Sequence, residues 1–389
     1  MNPPSAICHL PSAIRLLIRG TNWLGDAVMT TPALLRLREK FPNAHITLLT
    51  PEKLRDLWLQ HPAVNEIIPF APGENMFSVG QKLRAGRFNL ALVFPNSPRS
   101  AIESWLAGIP QRIGYARPWR NFLLTNAIAP RSGAVKMQKR TISEIRELTK
   151  SGAATVQPST FNPGFARGYA EASLQPSTCH QIHEYLHLAA ALGANPEPLS
   201  PKLFVVPDEI EVAKKKFGLE KITQPIFGLN PGAEYGPAKR WPAERFIAAA
   251  REIQQRANCV WLILGGKGDL AIANRIESGI RNSKFKTINL TGQTSLRELM
   301  SLLKLCRAML TNDSGPMHVA AALGTPVVAP FGSTSPELTG PGLPGDARHR
   351  LLKSDAPCSP CFLRECPIDF RCMNGISVER VVKAVLEVV

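Results

Sequence analysis

The chain is expected to adopt an α/β fold made of two doubly wound, Rossmann-like domains facing a central cleft. Three observations carry that expectation. Short apolar runs of strand length alternate with amphipathic stretches of helix length. The alternation is interrupted at a proline-rich stretch and then restarts, and glycine-rich turns sit where several apolar runs end. Strands that alternate with helices imply a parallel sheet covered on both faces, and such sheets bind ligands beyond the carboxyl ends of their strands.

Taken in order, Ile14 to Arg19 is a short apolar strand, followed by a turn and an amphipathic helix from about Asp26 to Lys40. His45–Thr50, Glu66–Phe70 and Asn89–Pro95 read as further strands, with helical segments near Lys53–Gln60 and Met76–Arg87 between them. Ser132 to Cys179 breaks the order. It is rich in Ser, Thr, Gly, Ala and Pro with one helix-like piece at Thr141–Lys150, and is expected to be a largely flexible insertion. His180 to Leu192 resumes the domain as a helix. After Pro196-Glu197-Pro198 and Pro201 come strand Pro225–Leu229, helix Ala243–Ala257, strand Cys259–Gly265, helix Asp269–Ile280, strand Thr287–Leu290 and helix Leu296–Leu305. The expected domains are therefore 1–200, with the insertion at about 132–179, and 201–375, with 376–389 as a C-terminal helix that could pack back on the N-terminal domain.

Composition narrows the function. The 389 residues are 44% hydrophobic, enough for two cores, and no apolar run reaches bilayer length. The first twenty residues lack a basic start, a long apolar stretch and a small-residue cleavage site, so a cytoplasmic protein is expected. Net charge is +16, and between Lys82 and Arg140 eleven Lys or Arg accompany a single acid, Glu103. Such a concentration suits a nucleic acid, an anionic membrane surface or a phosphorylated substrate, or else is a solvated basic face. Nucleic acid is disfavoured by the lack of any recognition motif and by an aromatic content of 7%.

Three turns carry chemistry. Ala308 to Gly332 reads as strand, anion-binding turn, helix and strand: Asn312, Asp313 and Ser314 are capping residues, Gly315 admits a ligand to the backbone, and Pro316 suits a first helical turn. The amides near Met317, His318 and Val319, with the helix dipole, would favour a negative charge there. Asn230 to Pro242 follows the first strand of the second domain, with Gly232 and Gly236 allowing close approach and Lys239 and Arg240 supplying donors suited to phosphate oxygens. Gly20 to Ala27 has two glycines five apart, but Asp26 stands where a phosphate-loop lysine would be, which rules against a nucleoside triphosphate. No G-x-G-x-x-G fingerprint supports a dinucleotide. Asp26 lies at a strand end beside a helix start, where it serves either as a general base or as a helix cap. No D-x-D-type acidic cluster marks these loops, and no second carboxylate is placed beside Asp26 as a nucleophile.

Cys358, Cys361, Cys366 and Cys372 lie within fifteen positions. A structural zinc site, two disulfides or reduced packing thiols all remain open, although a cytoplasmic setting disfavours disulfides. Cys8, Cys179, Cys259 and Cys306 follow no pattern.

Together, Gly20 to Asp26, Phe94 to Ser100, Pro231 to Pro242 and Asn312 to His318 resemble the ADP-heptose:lipopolysaccharide heptosyltransferases, most closely those that add the second heptose. The likeness covers nearly the whole chain apart from 132–179 and the start. It implies the GT-B architecture and transfer from ADP-L-glycero-D-manno-heptose to the first heptose of the lipopolysaccharide inner core, on an acceptor of the heptosyl-Kdo2-lipid A type, with no cofactor or metal required. A first-heptose or other ADP-heptose transferase is the alternative, and a non-enzymatic basic binding protein a distant one. The resemblance assigns Asp26 as the base on the acceptor hydroxyl and Lys239 as a catalytic contact to the diphosphate. It places Gly232, Arg240, Asp313, Ser314, Gly315 and His318 about the donor, brings Asp269 near the ribose, and puts Asn22, Asn96, Ser97 and Arg99 on the acceptor side. It further implies a monomer, peripheral on the cytoplasmic face of the inner membrane, with the basic 82–140 region facing anionic lipid.

Overall fold

The computed structural model describes residues 14–150, 179–281 and 286–389. They divide into two compact units, Met1–Ala134 with Gln181–Pro207, and Val135–His180 with Asp208–Val389.

Unit 1 is built on six parallel strands: β1 (Arg15–Arg19), β2 (His45–Pro51), β3 (Glu66–Phe70), β4 (Leu90–Val93), β5 (Gln111–Tyr115) and β6 (Asn126–Ile128), in the spatial order β3-β2-β1-β4-β5-β6. Leu16, Leu17 and Ile18 are wholly buried on both faces of β1, as a central parallel strand requires. Helices α1 (Leu24–Met29), α2 (Thr31–Lys40), α3 (Met76–Arg84) and α4 (Pro98–Leu106) make the crossovers. The strand order reverses between β1 and β4, so the turn after β1 and the loop after β4 flank the position where such sheets take ligands.

Sequence and structure part company in four places here. The single helix expected from Asp26 to Lys40 is two, because Pro32 near the start of α2 removes an amide and the chain restarts at Thr30. The helix near 53–60 is a 3-10 segment, Glu52–Trp58. Strands β5 and β6 were not expected. Residues 135–150 are not an insertion in the first domain: α5 (Ile142–Lys150) belongs to the second unit, where Ile145 packs on Cys358 and Cys361 and the Arg140 amide donates to the Cys361 carbonyl at 3.0 Å. Residues 151–178 of that stretch lie outside the described residues, as does Cys8. Helix α6 (Ile182–Ala190) returns the chain to unit 1 as expected.

Unit 2 opens with α7 (Pro207–Lys216) and repeats the plan with β7 (Ile226–Asn230), α8 (Ala243–Ala257), β8 (Val260–Ile263), α9 (Leu270–Ile280), β9 (Thr287–Asn289), α10 (Leu296–Leu305), β10 (Ala308–Thr311), α11 (Gly315–Ala322), β11 (Val327–Phe331), α12 (Pro336–Thr339) and β12 (Arg350–Lys353), followed by α13 (Arg371–Asn374) and α14 (Val378–Glu387). All six strands are parallel in the order β12-β11-β10-β7-β8-β9, reversing between β7 and β10. Residues of α14, among them Val381, Val382 and Val385, enter the same core as Trp241, Phe246, Ala250 and Trp261. The apolar face of 376–389 is thus satisfied within unit 2.

Candidate active site

In unit 2, the turns after β7 and β10 meet through Asn312, a wholly buried side chain. Its Oδ1 accepts from the Trp241 amide at 2.9 Å and its Nδ2 donates to the Pro231 carbonyl at 2.7 Å, so one amide group closes both loops at the point where the strand order reverses. Beside it, the Asp313 carboxylate is nearly buried, and its Oδ2 accepts from both Lys239 Nζ and Thr334 Oγ1, each at 2.6 Å. The Lys239 ammonium also lies 5.0 Å from the centre of the Tyr235 ring. Asp313 therefore holds and aims the lysine.

Ser314 occupies the N-cap position of α11, yet its side chain makes no cap bond and instead meets Thr311 Oγ1 at 3.3 Å. With Gly315 opening the helix and Pro316 following, the first turn is left without a competing side-chain acceptor, the condition under which a helix N-terminus receives an anion. His318 is buried just behind, and desolvation, followed by the nearby charges of Asp313, His180 and Lys239, brings its pKa down to about 4. It is a neutral imidazole at physiological pH.

Gly232, Arg240 and Asp269 form the second cluster of this unit. A Cβ on Gly232 would lie 2.3 Å from the Asp269 carboxylate carbon, so any larger residue would have to push the acid aside. The acid accepts from the Gly266 amide at 3.0 Å, and an Arg240 nitrogen sits 3.9 Å away. Gly236, at φ 154°, makes an equally close approach, 2.4 Å from a built Cβ to the Arg364 carbonyl, and that carbonyl accepts from the Ala238 amide at 3.0 Å. The cysteine-bearing tail thus braces the Lys239 loop. Its thiols are free, with burial pushing Cys372 up to about 12, and among the described residues no group of three His, Cys, Asp or Glu side chains could hold a metal ion.

In unit 1, Asp26 is the third residue of α1, whose N-cap position falls on Trp23, so it does not cap the helix. Gln181 Nε2 donates to Asp26 Oδ1 at 3.2 Å and to the Tyr185 hydroxyl at 2.9 Å. The Tyr185 phenol is buried, and its pKa is raised by desolvation first and then by the Asp26 charge, which keeps it neutral. Asn22 is exposed and accepts from Arg19 at 3.1 Å. Asn96, Ser97 and Arg99 come together at the head of α4. Ser97 is its N-cap, accepting from the Ser100 amide at 3.4 Å, and Arg99 donates to Glu103 Oε1 at 3.1 Å and to the Glu74 carbonyl.

Three residues of this unit escaped sequence reasoning. Arg19 ends β1 buried, with its Nε on Glu103 Oε2 at 2.7 Å, an NH group on the Gly20 carbonyl at 2.6 Å, and its guanidinium 4.6 Å from the centre of the Phe70 ring. Glu103, wholly buried, gives one oxygen to each arginine and so joins the Asp26-bearing turn to the head of α4. Arg120, also wholly buried, donates to the Pro95 carbonyl at 2.7 Å while its Nε and remaining NH2 have no hydrogen-bond partner, and desolvation lowers its pKa to about 10. A buried cation with spare donors beside a helix N-terminus is a place for an anion. The signal for the first pair was a charge inside the apolar run RLLIR and a lone acid among eleven cations. Nothing in the sequence marked Arg120.

Comparison with known proteins bears on this geometry. A profile of glycosyltransferase family 9 (heptosyltransferase) matches residues 156–370. Lipopolysaccharide heptosyltransferase 2 of Escherichia coli is 31% identical over 359 residues, spanning 88% of this chain and 92% of that protein. Lipooligosaccharide heptosyltransferase 2 of Haemophilus ducreyi is 31% identical over 340 residues, 84% of this chain and 86% of that one. Among solved structures, that of the E. coli ADP-heptose lps heptosyltransferase II superposes with a TM-score of 0.73 at 27% identity, covering 96% and 98% of the two chains.

Proposed function

Starting from a chain that belongs to glycosyltransferase family 9, the heptosyltransferases, and is thus a glycosyltransferase of the α/β class, we propose that it moves L-glycero-D-manno-heptose from ADP-heptose to the first heptose of the lipopolysaccharide inner core. The observation that carries the reading is the pairing, at the point where the unit 2 strands reverse order, of an aimed Lys239 with the uncapped first turn of α11. Negative charge grows on the diphosphate as the sugar departs, and a fixed ammonium and fixed amides stabilise that charge more than they stabilise the ground state. Asp269, set against Gly232, takes the ribose, and Arg240 lies alongside. Asp26 removes the proton from the acceptor hydroxyl, oriented by Gln181, and attack on the anomeric carbon from the opposite face inverts its configuration. His318, neutral, donates or accepts a hydrogen bond without adding charge.

Asn22, Asn96, Ser97 and Arg99 contact the acceptor in this reading, and Arg120 supplies the cation for one of its phosphates or acidic sugars. The enzyme acts as a monomer, peripheral on the cytoplasmic face of the inner membrane and without a required cofactor. In support, net charge is +16, and among the described residues no helix is long and apolar enough to cross a membrane. The decisive assay measures ADP release from ADP-heptose with acceptors truncated after zero, one and two heptoses. Release with the one-heptose acceptor alone is expected; release with the heptose-free acceptor would make it a first-heptose enzyme.

A further inference from the structure

Between β5 and β6 the chain runs Ala116-Arg117-Pro118-Trp119-Arg120-Asn121-Phe122-Leu123, and it sorts these side chains to opposite sides. Arg120 and Leu123 point inward and are buried, while Trp119 is 84% and Phe122 77% exposed. Trp119 holds φ at 62°, a left-handed backbone that a tryptophan seldom adopts, so the reversal turns the ring outward at some conformational cost. Leu123 and Leu124 pack on Ala101 and Ile102 of α4, and Trp105, one turn further along the same helical face, is 50% exposed. Three large aromatic side chains are therefore exposed on one small piece of unit 1, where water is a poor solvent for them.

Their polar surroundings select the partner. From Gln111 to Arg131 the chain has four arginines and no acid; Arg120 is buried and Arg131 pairs with Glu184 at 3.2 Å, which leaves Arg112 and Arg117 for the surface. Arg112 lies against the loop, donating to the Leu123 carbonyl at 2.7 Å, and Arg117 stacks 5.6 Å from the centre of the Tyr115 ring. Trp and Phe at an exposed tip, with Arg112 and Arg117 close by, match the interface of an anionic bilayer: rings enter the headgroup and upper acyl region while guanidinium groups stay with the phosphates. We infer that the 117–122 loop, with Trp105, is the surface by which unit 1 seats on anionic phospholipid. This rests on the reading of the acceptor as lipid-linked and adds where the protein touches the bilayer that carries it. The same segment then has two jobs: its outer side meets lipid while Arg120 on its inner side awaits an anion.

The test uses the full chain with Trp119→Asn and Phe122→Ser together, Asn being a residue that accepts a left-handed backbone. Flotation with vesicles of phosphatidylethanolamine and phosphatidylglycerol, free of acceptor and donor, reports the loop whether or not the transferase reading holds. The parent is expected to float with these vesicles and not with pure phosphatidylcholine. The double variant is expected to float about tenfold less or weaker still, with unchanged thermal unfolding, and to turn over a lipid-free oligosaccharide acceptor normally while slowing on acceptor embedded in vesicles. Equal flotation of parent and variant overturns the inference. So does an equal loss on the lipid-free acceptor, which would make the rings sugar contacts, or a parent dimer in sedimentation that the substitutions disperse.

Discussion

In the proposed reading Asp26 removes the acceptor proton and Lys239 stabilises the leaving diphosphate, so their substitutions should fail differently. Asp26→Ala is expected to keep ADP-heptose affinity and lose about a hundredfold or more in kcat, the scale of a lost general base. Steady-state rates with a donor titration check this, and near-normal turnover would remove it from the role. Lys239→Ala is expected to weaken ADP and ADP-heptose together by about tenfold or more, read by calorimetry, since it removes the charge-assisted bond both would make. The buried Arg19–Glu103 pair offers a sharper test. Glu103→Leu strands a buried guanidinium and should cost about 3–5 kcal/mol, whereas adding Arg19→Met should recover most of that stability. Turnover is expected to stay low in the double variant, because the Gly20 carbonyl and Asn22 lose the donor that sets the turn before Asp26. If activity returns with stability, the pair only fills space.

At the scale of elements, what was legible followed from period and punctuation. The strands β1, β7, β8 and β10 and the helices α8 to α11 announced themselves because buried parallel strands are unbroken apolar runs and the helices between them have caps, prolines and amphipathic faces. The turns after β1, β7 and β10 were legible for the same reason, since glycine and capping residues at strand ends have a local cause. The short edge strand β6 and β12 beyond α12 were not, being partly exposed and paired on one side only, so neither period nor composition separates them from loop. Low-complexity composition also misled: residues around Ser132–Lys150 look like a linker, but Ile145 is a single apolar anchor whose partners lie more than two hundred positions away. Ile145→Ala is expected to cost about 2–4 kcal/mol in unfolding free energy through the cavity left beside Cys358 and Cys361. A loss below half a kcal/mol on denaturant titration would mean that α5 rests loosely on the tail. The site residues that stayed hidden, Arg120 above all, are defined by burial and missing partners, which only three-dimensional packing creates.

For the molecule as a whole, three of the buried histidines set an acid limit. Burial brings His61, His318 and His349 from 6.5 to about 4. Below pH 6.5 the unfolded chain takes up protons that the folded chain refuses, so stability is complete above that pH and falls as pH drops toward 4. Each contributes up to about 3 kcal/mol over that window, and one of the three is in unit 1 and two in unit 2, so both should weaken. Thermal midpoints measured from pH 7.5 to 4.5 are expected to fall steadily, with His61→Gln flattening the slope; a flat profile in the parent would place these rings in wetter surroundings. Asp346, held near 2 mainly by its hydrogen bond with Arg348, adds its own loss only at still lower pH.

In the proposed reading of unit 2 as the donor side, the carboxylate oxygen that Lys239 shares with Thr334 has a consequence for nucleotide traffic. An ammonium that already rests on a local acid is not a bare attractor for every passing phosphate, and it need not be stripped of a full hydration shell each time a nucleotide arrives. After the sugar has gone, the same acid is waiting to take the lysine back, which eases departure of the spent nucleotide. Replacing Asp313 with a neutral isostere should therefore make the pocket stickier as well as slower, with spent nucleotide becoming the stronger inhibitor.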